Sequence, residues 1–307
     1  MTAARDRGTA VPPLMRSKLF VPGSRPGLFA KAAASAADAL SFDLEDAVAS
    51  DRKADARRAV AAWLQSRAAS KVIVVRVNGW SSGLFEQDLQ AVVQPGLDII
   101  NLPMVESADE VREAARLLDR REAAADIARP IGLLANIETP KGLRMAAEIA
   151  TASERVVGLQ IGYADLFEPF AIDRRDLHAL NHVRVTVRLA AAEAKVPAYD
   201  GAFAGVAEPD LFRAECEAAQ RLGFAGKSCI HPSQVPIANA CFVPRPAEVE
   251  QARRILAAAS EAAEQGVGAF VVDGRMIDEP FLVSARAVVA LHEQHQRSLI
   301  GEGRQSK

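Results

Sequence analysis

The sequence lacks the features that would assign it to a membrane, a nucleic acid or a zinc site. No apolar run reaches the roughly 18 residues that suggest a membrane-spanning helix. The 37 basic and 39 acidic residues leave a formal net charge of −2, so no global field attracts nucleic acid or an anionic membrane. The three cysteines have no CxxC spacing, their odd count argues against a disulfide framework, and the cysteines and histidines show no zinc-like spacing.

The N-terminal stretch lacks a secretory signal. MTAARDRGTAVPP contains basic residues but no apolar segment of the kind that such signals need. We interpret residues 1–15 as a disordered tail and expect a cytoplasmic protein. Half of the 307 residues are hydrophobic and a quarter are charged, which is typical of a globular protein that buries a large core without disulfides.

No GxGxxG or Walker turn follows an early strand, which weakens an assignment to a doubly wound open sheet. What the sequence does contain is an alternation of short β-branched runs with amphipathic stretches whose apolar residues recur every three to four positions. Eight strand–helix units predict a (β/α)8 TIM barrel, an α/β fold, over residues 16–245, with the open sheet as the alternative. The predicted strands are 18–21, 39–43, 72–77, 98–102, 131–137, 156–161, 196–199 and 226–230.

The alternation stops after residue 245. Residues 246–265 form an Ala-rich amphipathic pattern, GAFVVDGRMIDEP (268–280) predicts a loop or hairpin, and a final helix follows. A helix of that length must bury its apolar face. We therefore predict that 246–307 is a C-terminal helical and lid extension, which covers a barrel mouth or packs on a neighbouring subunit.

Polar residues follow the predicted strands at the end where barrels build active sites. Glu138 and Asp165 end two successive strands, and two carboxylates completed by water are a usual way to hold Mg²⁺. In the alternative interpretation Glu138 pairs with Lys141 and Asp165 caps the next helix. Asp200 and His231 follow the last two strands and are expected at the same mouth.

Three carboxylates stand at the end of the strand 39–43: Asp43 is its last residue, and Glu45 and Asp46 follow it. They suit either a helix N-terminus or a site that needs negative charge for a metal or a cationic partner. Arg76 interrupts an apolar strand and needs an anion in turn. That anion is either a substrate carboxylate, gripped by both arms of the guanidinium, or a structural partner such as Glu45 or Asp46.

No lysine occupies a clear Schiff-base position at a strand end. Lys227 opens its strand, and Lys141 lies past the end of another. The pattern therefore favours metal-assisted chemistry over an imine mechanism.

These motifs resemble a known family. The chain is similar, over about residues 16–290, to the citrate-lyase β-subunit-like branch of the HpcH/HpaI aldolase superfamily, which includes malyl-CoA and citramalyl-CoA lyases. Met104 departs from the pattern, because the family commonly has lysine there. The stretches that carry the resemblance are RSKLFVPGSRPGLFAKA, DLEDAV, RVNG, LPMVES, NIETPKG, GYADL, GKSCIHPSQV and GRMIDEP.

The resemblance implies a Mg²⁺-containing TIM barrel, usually trimeric or hexameric, in which Mn²⁺ can substitute. It implies Glu138 and Asp165 as metal ligands and Arg76 as the group that grips the substrate carboxylate and takes part in catalysis. Asp278 matches a lid carboxylate that a neighbouring subunit supplies as general acid or base. The residues implied to bind the substrate and its coenzyme A are Arg76, Glu45, Asp46, Phe20, Arg25 and Lys31.

The implied reaction is cleavage of a short 3-hydroxyacyl-CoA, of the citramalyl-CoA or malyl-CoA type, to acetyl-CoA and a 2-oxo acid. An acyl-CoA thioesterase on the same barrel is one alternative, and a carrier-protein-dependent citrate lyase β subunit is another. The extension 246–307 argues against the carrier-dependent subunit, because such subunits resemble a shorter barrel that lacks the Asp278 segment. A non-catalytic CoA-binding scaffold would not need Glu138 and Asp165.

Overall fold

The structure, a computed structural model, describes residues 14–66, 71–264 and 266–305. The predicted N-terminal tail lies outside the described residues, apart from residues 14 and 15. The chain divides into two compact units between Phe242 and Val243. Within the described ranges, no helix combines the length and the apolar character needed to cross a bilayer.

The first unit is a closed barrel of eight strands in chain order, which confirms the predicted TIM barrel. Each strand pairs in parallel with the next, and the last pairs with the first, so the open-sheet alternative is wrong. The strands are β1 Ser17–Pro22, β2 Ala39–Asp43, β3 Val72–Arg76, β4 Ile99–Leu102, β5 Gly132–Ile137, β6 Val156–Ile161, β7 Ala198–Asp200 and β8 Gly226–Cys229.

The α-helices of this unit follow the strands, as the apolar periodicity predicts. In the helix 108–124 the sequence signal is complete: Ser107 Oγ accepts the Glu110 N–H at 3.3 Å, and Glu110 Oε2 accepts the Ser107 N–H at 3.2 Å. The helices are α1 Phe29–Ala33, α2 Lys53–Gln65, α3 Phe85–Val92, α4 Ala108–Ala124, α5 Pro140–Arg144, α6 Ala146–Thr151, α7 Tyr163–Phe167, α8 Leu177–Glu193, α9 Pro209–Arg221 and α10 Gln234–Cys241.

The barrel interior has an apolar end and a polar middle. An apolar cluster closes the end near the strand N-termini; its members are Met15, Ala39, Val74, Ile99, Leu134 and Tyr199. Further along the strands, Lys18 Nζ donates to Asn101 Oδ1 at 3.3 Å. β1 and β4 are not neighbours in the barrel, so these two side chains meet across its interior. Four other strands also contribute a buried polar residue each, namely Ser41 on β2, Asn136 on β5, Gln160 on β6 and Ser228 on β8.

The second unit contains α11 Pro246–Glu264, the antiparallel strands β9 Phe270–Val272 and β10 Arg275–Ile277, and α12 Glu279–Gln305. The predicted loop or hairpin is thus a hairpin. Its turn residues, Asp273 and Gly274, have φ values of 51° and 75°, the left-handed conformation for which Asp-Gly is favoured. Its apolar cluster consists of Ala252, Ile255, Ile277, Leu282 and Ala285.

Candidate functional site

Arg76, the last residue of β3, lies among three carboxylates. Its Nε and Nη2 donate to Asp43 Oδ1 and Oδ2 at 2.8 and 2.7 Å, a bidentate pair. Nη1 donates to Asp46 Oδ2 at 3.2 Å. It also lies 2.8 Å from Glu45 Oε2, although the approach is not aligned for a hydrogen bond. The structural partners considered for Arg76 are therefore present, and the principal one is Asp43.

The contacts of Asp43 explain why an acidic residue stands at the end of β2. Its Oδ1 accepts the Glu45 N–H at 2.9 Å and its Oδ2 accepts the Ala47 N–H at 3.0 Å. These bonds cap a turn, and no α-helix begins there; the next helical turn is a 3₁₀ segment, Ser50–Arg52. Burial raises the pKa of Asp43, but the hydrogen bonds and charge of Arg76 outweigh it and hold the pKa below its ordinary value.

Glu138, directly after β5, is held on three sides. Its Oε1 accepts the Met104 N–H at 2.6 Å, and its Oε2 accepts Asn136 Nδ2 at 3.2 Å. A Cβ at Gly162 would lie 2.1 Å from Glu138 Oε2, so glycine leaves room for the carboxylate. Met104 has a left-handed φ of 53°, which turns its N–H toward Glu138. Lys141, the alternative partner of Glu138, pairs instead with Glu106 at 3.4 Å.

Asp165 lies in the first turn of α7, whose N-cap is Gly162. No side-chain hydrogen bond caps that helix, so the capping role considered for Asp165 is wrong. Partial burial raises the pKa of Asp165, and the neighbouring charge of Asp46 adds to the rise. The charge of Asp165 in turn raises the pKa of Glu138. The charge of one proposed metal ligand, Asp165, therefore acts on the other, Glu138.

We call Asp43, Glu45, Asp46, Glu138 and Asp165, with Arg76, the mouth cluster. Burial raises the pKa of Glu138 to about 7, against the Met104 N–H and Arg76. Burial also raises the pKa of Glu45 to about 8; Asp46 and Glu138 add to this, and Arg76 opposes it. The carboxylates outnumber the nearby cations even when Lys18 and Lys53 are counted with Arg76. Lys53 Nζ donates to the carbonyls of Leu44 and Glu45 at 2.8 and 2.7 Å.

The mouth cluster fits a hard divalent cation. All of its side-chain acceptors are carboxylate oxygens, which Mg²⁺ prefers, and their excess negative charge matches a dication. Among the described residues, no three His, Cys, Asp or Glu side chains converge into a complete metal cage. Glu138 and Asp165 are the two carboxylates that could hold Mg²⁺ with water or substrate oxygens in its other positions, and this assignment stays a prediction.

The three residues implied to contact coenzyme A lie on the first two elements. Phe20 is half-buried in β1, and the Cζ of Arg76 lies 5.3 Å from its ring centroid. Arg25 and Lys31 are exposed, the first before a short 3₁₀ turn and the second on α1. Their exposure leaves both cations available to phosphates, and their contact with coenzyme A stays a prediction.

Asp278 belongs to the second unit, between β10 and α12. Its backbone carbonyl accepts the N–H groups of Phe281 and Leu282, at 3.0 and 3.2 Å. Its Oδ1 is buried and has no hydrogen-bond partner among the described residues. That oxygen therefore does not cap α12, although Asp278 stands at the helix start. Its role as a lid acid stays a prediction.

Two residues expected at the mouth have other roles. Asp200 ends β7 but is bound by Arg184 of α8 and by Lys227 of β8, at 3.0 and 2.6 Å, so it faces the helices. Its neighbour Tyr199 faces the barrel interior. His231 is exposed and its Nδ1 accepts the Ser233 N–H at 3.2 Å, which fits a turn-fixing role.

Sequence reasoning missed a chain of polar groups beneath the mouth. Lys18 and Asn101 are joined, and Asn101 Nδ2 donates to Asn136 Oδ1 at 2.7 Å. Asn136 then donates to Glu138. Each of these residues interrupts an apolar strand. Each lies an even number of positions before a residue at the mouth end of its strand, so its side chain points to the same side of the strand as that residue. That signal was available in NIET, where Asn136 stands two residues before Glu138.

Comparison with known proteins agrees with this geometry. The HpcH/HpaI aldolase/citrate lyase family model matches residues 16–232. The chain is 34% identical over 283 residues to the citrate lyase subunit beta of Leuconostoc mesenteroides, covering 91% of this chain and 93% of the relative. It is 38% identical over 280 residues to a (3S)-malyl-CoA thioesterase of Cereibacter sphaeroides, covering 91% and 94%.

A solved structure matches the fold. The CitE protein of Mycobacterium tuberculosis, in complex with magnesium, acetoacetate and coenzyme A, superimposes with a TM-score of 0.73 at 32% identity. The match covers 92% of this chain and 100% of that protein. These ligands belong to the CitE structure; on this chain, its barrel mouth is the corresponding candidate site.

The comparisons overturn the length argument against a citrate lyase β subunit. The Leuconostoc subunit leaves 9% of this chain uncovered, about 28 residues, which is fewer than the 62 residues of 246–307. Such subunits therefore share much of the C-terminal extension, and its presence does not separate the two classes. What the matches have in common is the family: the chain belongs to the HpcH/HpaI aldolase/citrate lyase family, a family of lyases and aldolases.

Proposed function

We propose that this protein is a Mg²⁺-dependent carbon–carbon lyase. It would cleave a short 3-hydroxyacyl-CoA of the citramalyl-CoA or malyl-CoA type to acetyl-CoA and a 2-oxo acid. The observation that carries the proposal is the excess of carboxylates in the mouth cluster, with Glu138 held by Met104 and Asn136. Asp46 and Asp165 are exposed, but they stand beside the buried Asp43 and Glu138. Negative charge gathered in this way is unfavourable unless a cation balances it, so the cluster suits a metal site better than a structural one.

The residues divide the task between them. Glu138 and Asp165 would hold Mg²⁺, which supplies a Lewis acid that makes the substrate hydroxyl easier to ionise. Arg76 is bound to Asp43 through Nε and Nη2. It would therefore bind a substrate carboxylate through the N–H groups of Nη1 and Nη2 that do not donate to Asp43. Phe20, Arg25 and Lys31 would contact coenzyme A, whose phosphates suit the two exposed cations.

The proton inventory of cleavage assigns a role to Asp278. When the substrate hydroxyl gives its proton to solvent water, its oxygen becomes the carbonyl oxygen of the 2-oxo acid. The carbon–carbon bond breaks, and its electron pair passes to the carbon next to the thioester. That enolate needs one proton to become acetyl-CoA. Protonated Asp278 would donate it, and in the condensing direction its carboxylate would remove a proton from acetyl-CoA.

A thioesterase is the second candidate, favoured by the similarity to a (3S)-malyl-CoA thioesterase. The two reactions differ in product. Cleavage of malyl-CoA or citramalyl-CoA gives acetyl-CoA with glyoxylate or pyruvate, whereas hydrolysis gives free coenzyme A and the intact hydroxy acid.

The decisive experiment measures both product sets after incubating the purified protein with each thioester and Mg²⁺. We expect acetyl-CoA and a 2-oxo acid in equal amounts, loss of turnover in excess chelator and recovery on adding Mg²⁺ or Mn²⁺. Free coenzyme A with intact hydroxy acid would establish the thioesterase instead. Two results would overturn the proposal: full turnover in excess chelator, or no turnover of either thioester with Mg²⁺ present. The second result would direct attention to carrier-bound substrates.

We further propose that the active unit is a homotrimer or hexamer in which Asp278 serves a neighbouring subunit's mouth. Mixing Asp278→Asn subunits with Glu138→Gln subunits, under conditions that allow exchange, should regenerate some sites that contain both original groups. Recovered activity is the expected result. If native mass spectrometry confirms exchange and activity stays at zero, Asp278 acts within its own chain or has no catalytic role.

A further inference from the structure

A chain of side-chain hydrogen bonds runs through the barrel interior and ends on Glu138. It begins at Lys18 on β1, passes through Asn101 on β4 and Asn136 on β5, and reaches Glu138 Oε2. All four residues are buried, between 0% and 2% exposed. Buried polar residues within a barrel core need a reason, because apolar side chains of similar size would fill the same space without loss of hydration.

The direction of this chain is fixed at Asn101. The Leu134 carbonyl can only accept, so the Asn101 atom that lies 2.9 Å from it is Nδ2, which also donates to Asn136 Oδ1. The Oδ1 of Asn101 then faces Lys18 and accepts from its Nζ. With its oxygen committed to Asn101, Asn136 can present only its N–H₂ group to Glu138.

We propose that Asn136 is a positioning residue, which holds the Glu138 carboxylate in the orientation that binds a divalent cation. Asn101 and Lys18 act behind it by keeping the Asn136 amide from turning over. The bond to Asn136 occupies one lone pair of Glu138 Oε2, and the Met104 N–H occupies one on Oε1. Each oxygen keeps its other lone pair. Groups of this kind, which fix a ligand without touching the metal, alter metal affinity when they are removed.

This inference rests on the proposed function, since it assigns Glu138 to a metal. Its test is therefore binding rather than turnover: Mn²⁺ affinity by calorimetric titration of the full-length protein. Asn136→Leu removes the donor at nearly constant volume, and Gln160→Leu is the matched control. Gln160 is also a buried amide of the barrel strands, in register with Asn136, but it has no recorded bond to Glu138.

We expect Asn136→Leu to bind Mn²⁺ about 10- to 100-fold more weakly than the unaltered protein. Gln160→Leu should bind within about twofold of it, and both variants should keep the original melting temperature within a few degrees. If Asn136→Leu does not fold, Asn136→Ala removes the same donor without adding a branched side chain.

Three other outcomes have separate meanings. Equal Mn²⁺ affinity in a folded Asn136 variant and the unaltered protein would overturn the positioning role and leave the proposed function standing. Equal weakening in the Gln160 control would overturn it as well, because the effect would then belong to the polar interior as a whole. An unaltered protein that binds no Mn²⁺ would overturn the proposed function itself.

Discussion

Two charged clusters among the described residues, one around Asp200 and the mouth cluster, differ in charge balance. In the first, Asp200 is bound by Lys227 and Arg184, and Tyr163 Oη donates to its Oδ1 at 2.7 Å. Glu215 joins it through Lys227, at 3.0 Å. Arg174 completes this Asp200 cluster, with bonds of 2.8 and 2.9 Å to Glu215. Its two carboxylates face three cations.

The pKa values of the carboxyl groups differ between the two clusters. Against the raising effect of burial, Lys227 and Arg184 hold the pKa of Asp200 below its ordinary value. In the mouth cluster Arg76 does the same for Asp43, but burial prevails at Glu45 and Glu138, whose pKa values rise to about 8 and about 7. Burial of acids alone therefore does not identify a site. The informative difference is that one cluster is complete within the protein and the other lacks positive charge.

The substitution with the largest expected effect removes a charge from the mouth cluster. Glu138→Gln removes one ligand charge, so turnover should fall by about 10³-fold or more, because a metal contributes several kcal/mol to such a transition state. The free energy of unfolding should not decrease, since the cluster loses an uncompensated buried charge. Initial rates and urea unfolding measure the two quantities. Glu106→Gln, at an exposed carboxylate paired with Lys141, should change neither; retained turnover in Glu138→Gln contradicts the assignment.

The second substitution removes a cation from the Asp200 cluster and should lower the stability of the fold. Lys227→Met leaves a fully buried carboxylate short of a partner, so we expect the free energy of unfolding to fall by about 3–5 kcal/mol. Chemical denaturation measures it, with Lys141→Met as the control, because loss of an exposed pair costs about 0.2–1 kcal/mol. Mn²⁺ affinity, measured where the variant is folded, should stay unchanged. A change in affinity without a change in stability would contradict the division between the clusters.

The smallest effect sharpens the comparison at Arg76, which has both structural and proposed functional contacts. Arg76→Lys keeps the charge but loses the two parallel bonds to Asp43. We expect kcat/KM to fall by more than an exposed pair would account for, that is by more than about 1 kcal/mol or about fivefold. Unfolding measured in parallel separates the causes. A loss of stability with turnover preserved in the folded fraction would make Arg76 a structural residue.

The barrel was predictable from the sequence because its strands are apolar and short and alternate with amphipathic helices. All eight predicted runs contain or overlap an observed strand, and 39–43 and 156–161 coincide with β2 and β6. β7, predicted at 196–199, lies at 198–200. This strand has three residues, too few for alternation to show which face Asp200 takes.

The candidate site was predictable where the chemistry lies at strand ends, as with Glu138 and Arg76. The sequence could not rank the three acids after β2, because the turn that directs both oxygens of Asp43 toward Arg76 depends on backbone bonds to Glu45 and Ala47. It also could not reveal the Lys18–Asn101 bond. That contact joins strands that are not neighbours, so it follows from barrel closure and from no local pattern.

The backbone and the side chain of Met104 have separate roles, so the side chain can change while the role of the backbone is kept. Its backbone N–H holds Glu138, while its side chain remains 44% exposed. Substitutions at this residue can therefore alter what the mouth presents to a substrate and leave the hydrogen bond to the carboxylate in place. The left-handed φ of 53° restricts the choice, because β-branched residues are strained there, whereas unbranched, asparagine and glycine residues are tolerated better. Under the proposed function, substrate preference can thus diverge among related chains at one site without a compensating change in the proposed metal ligands.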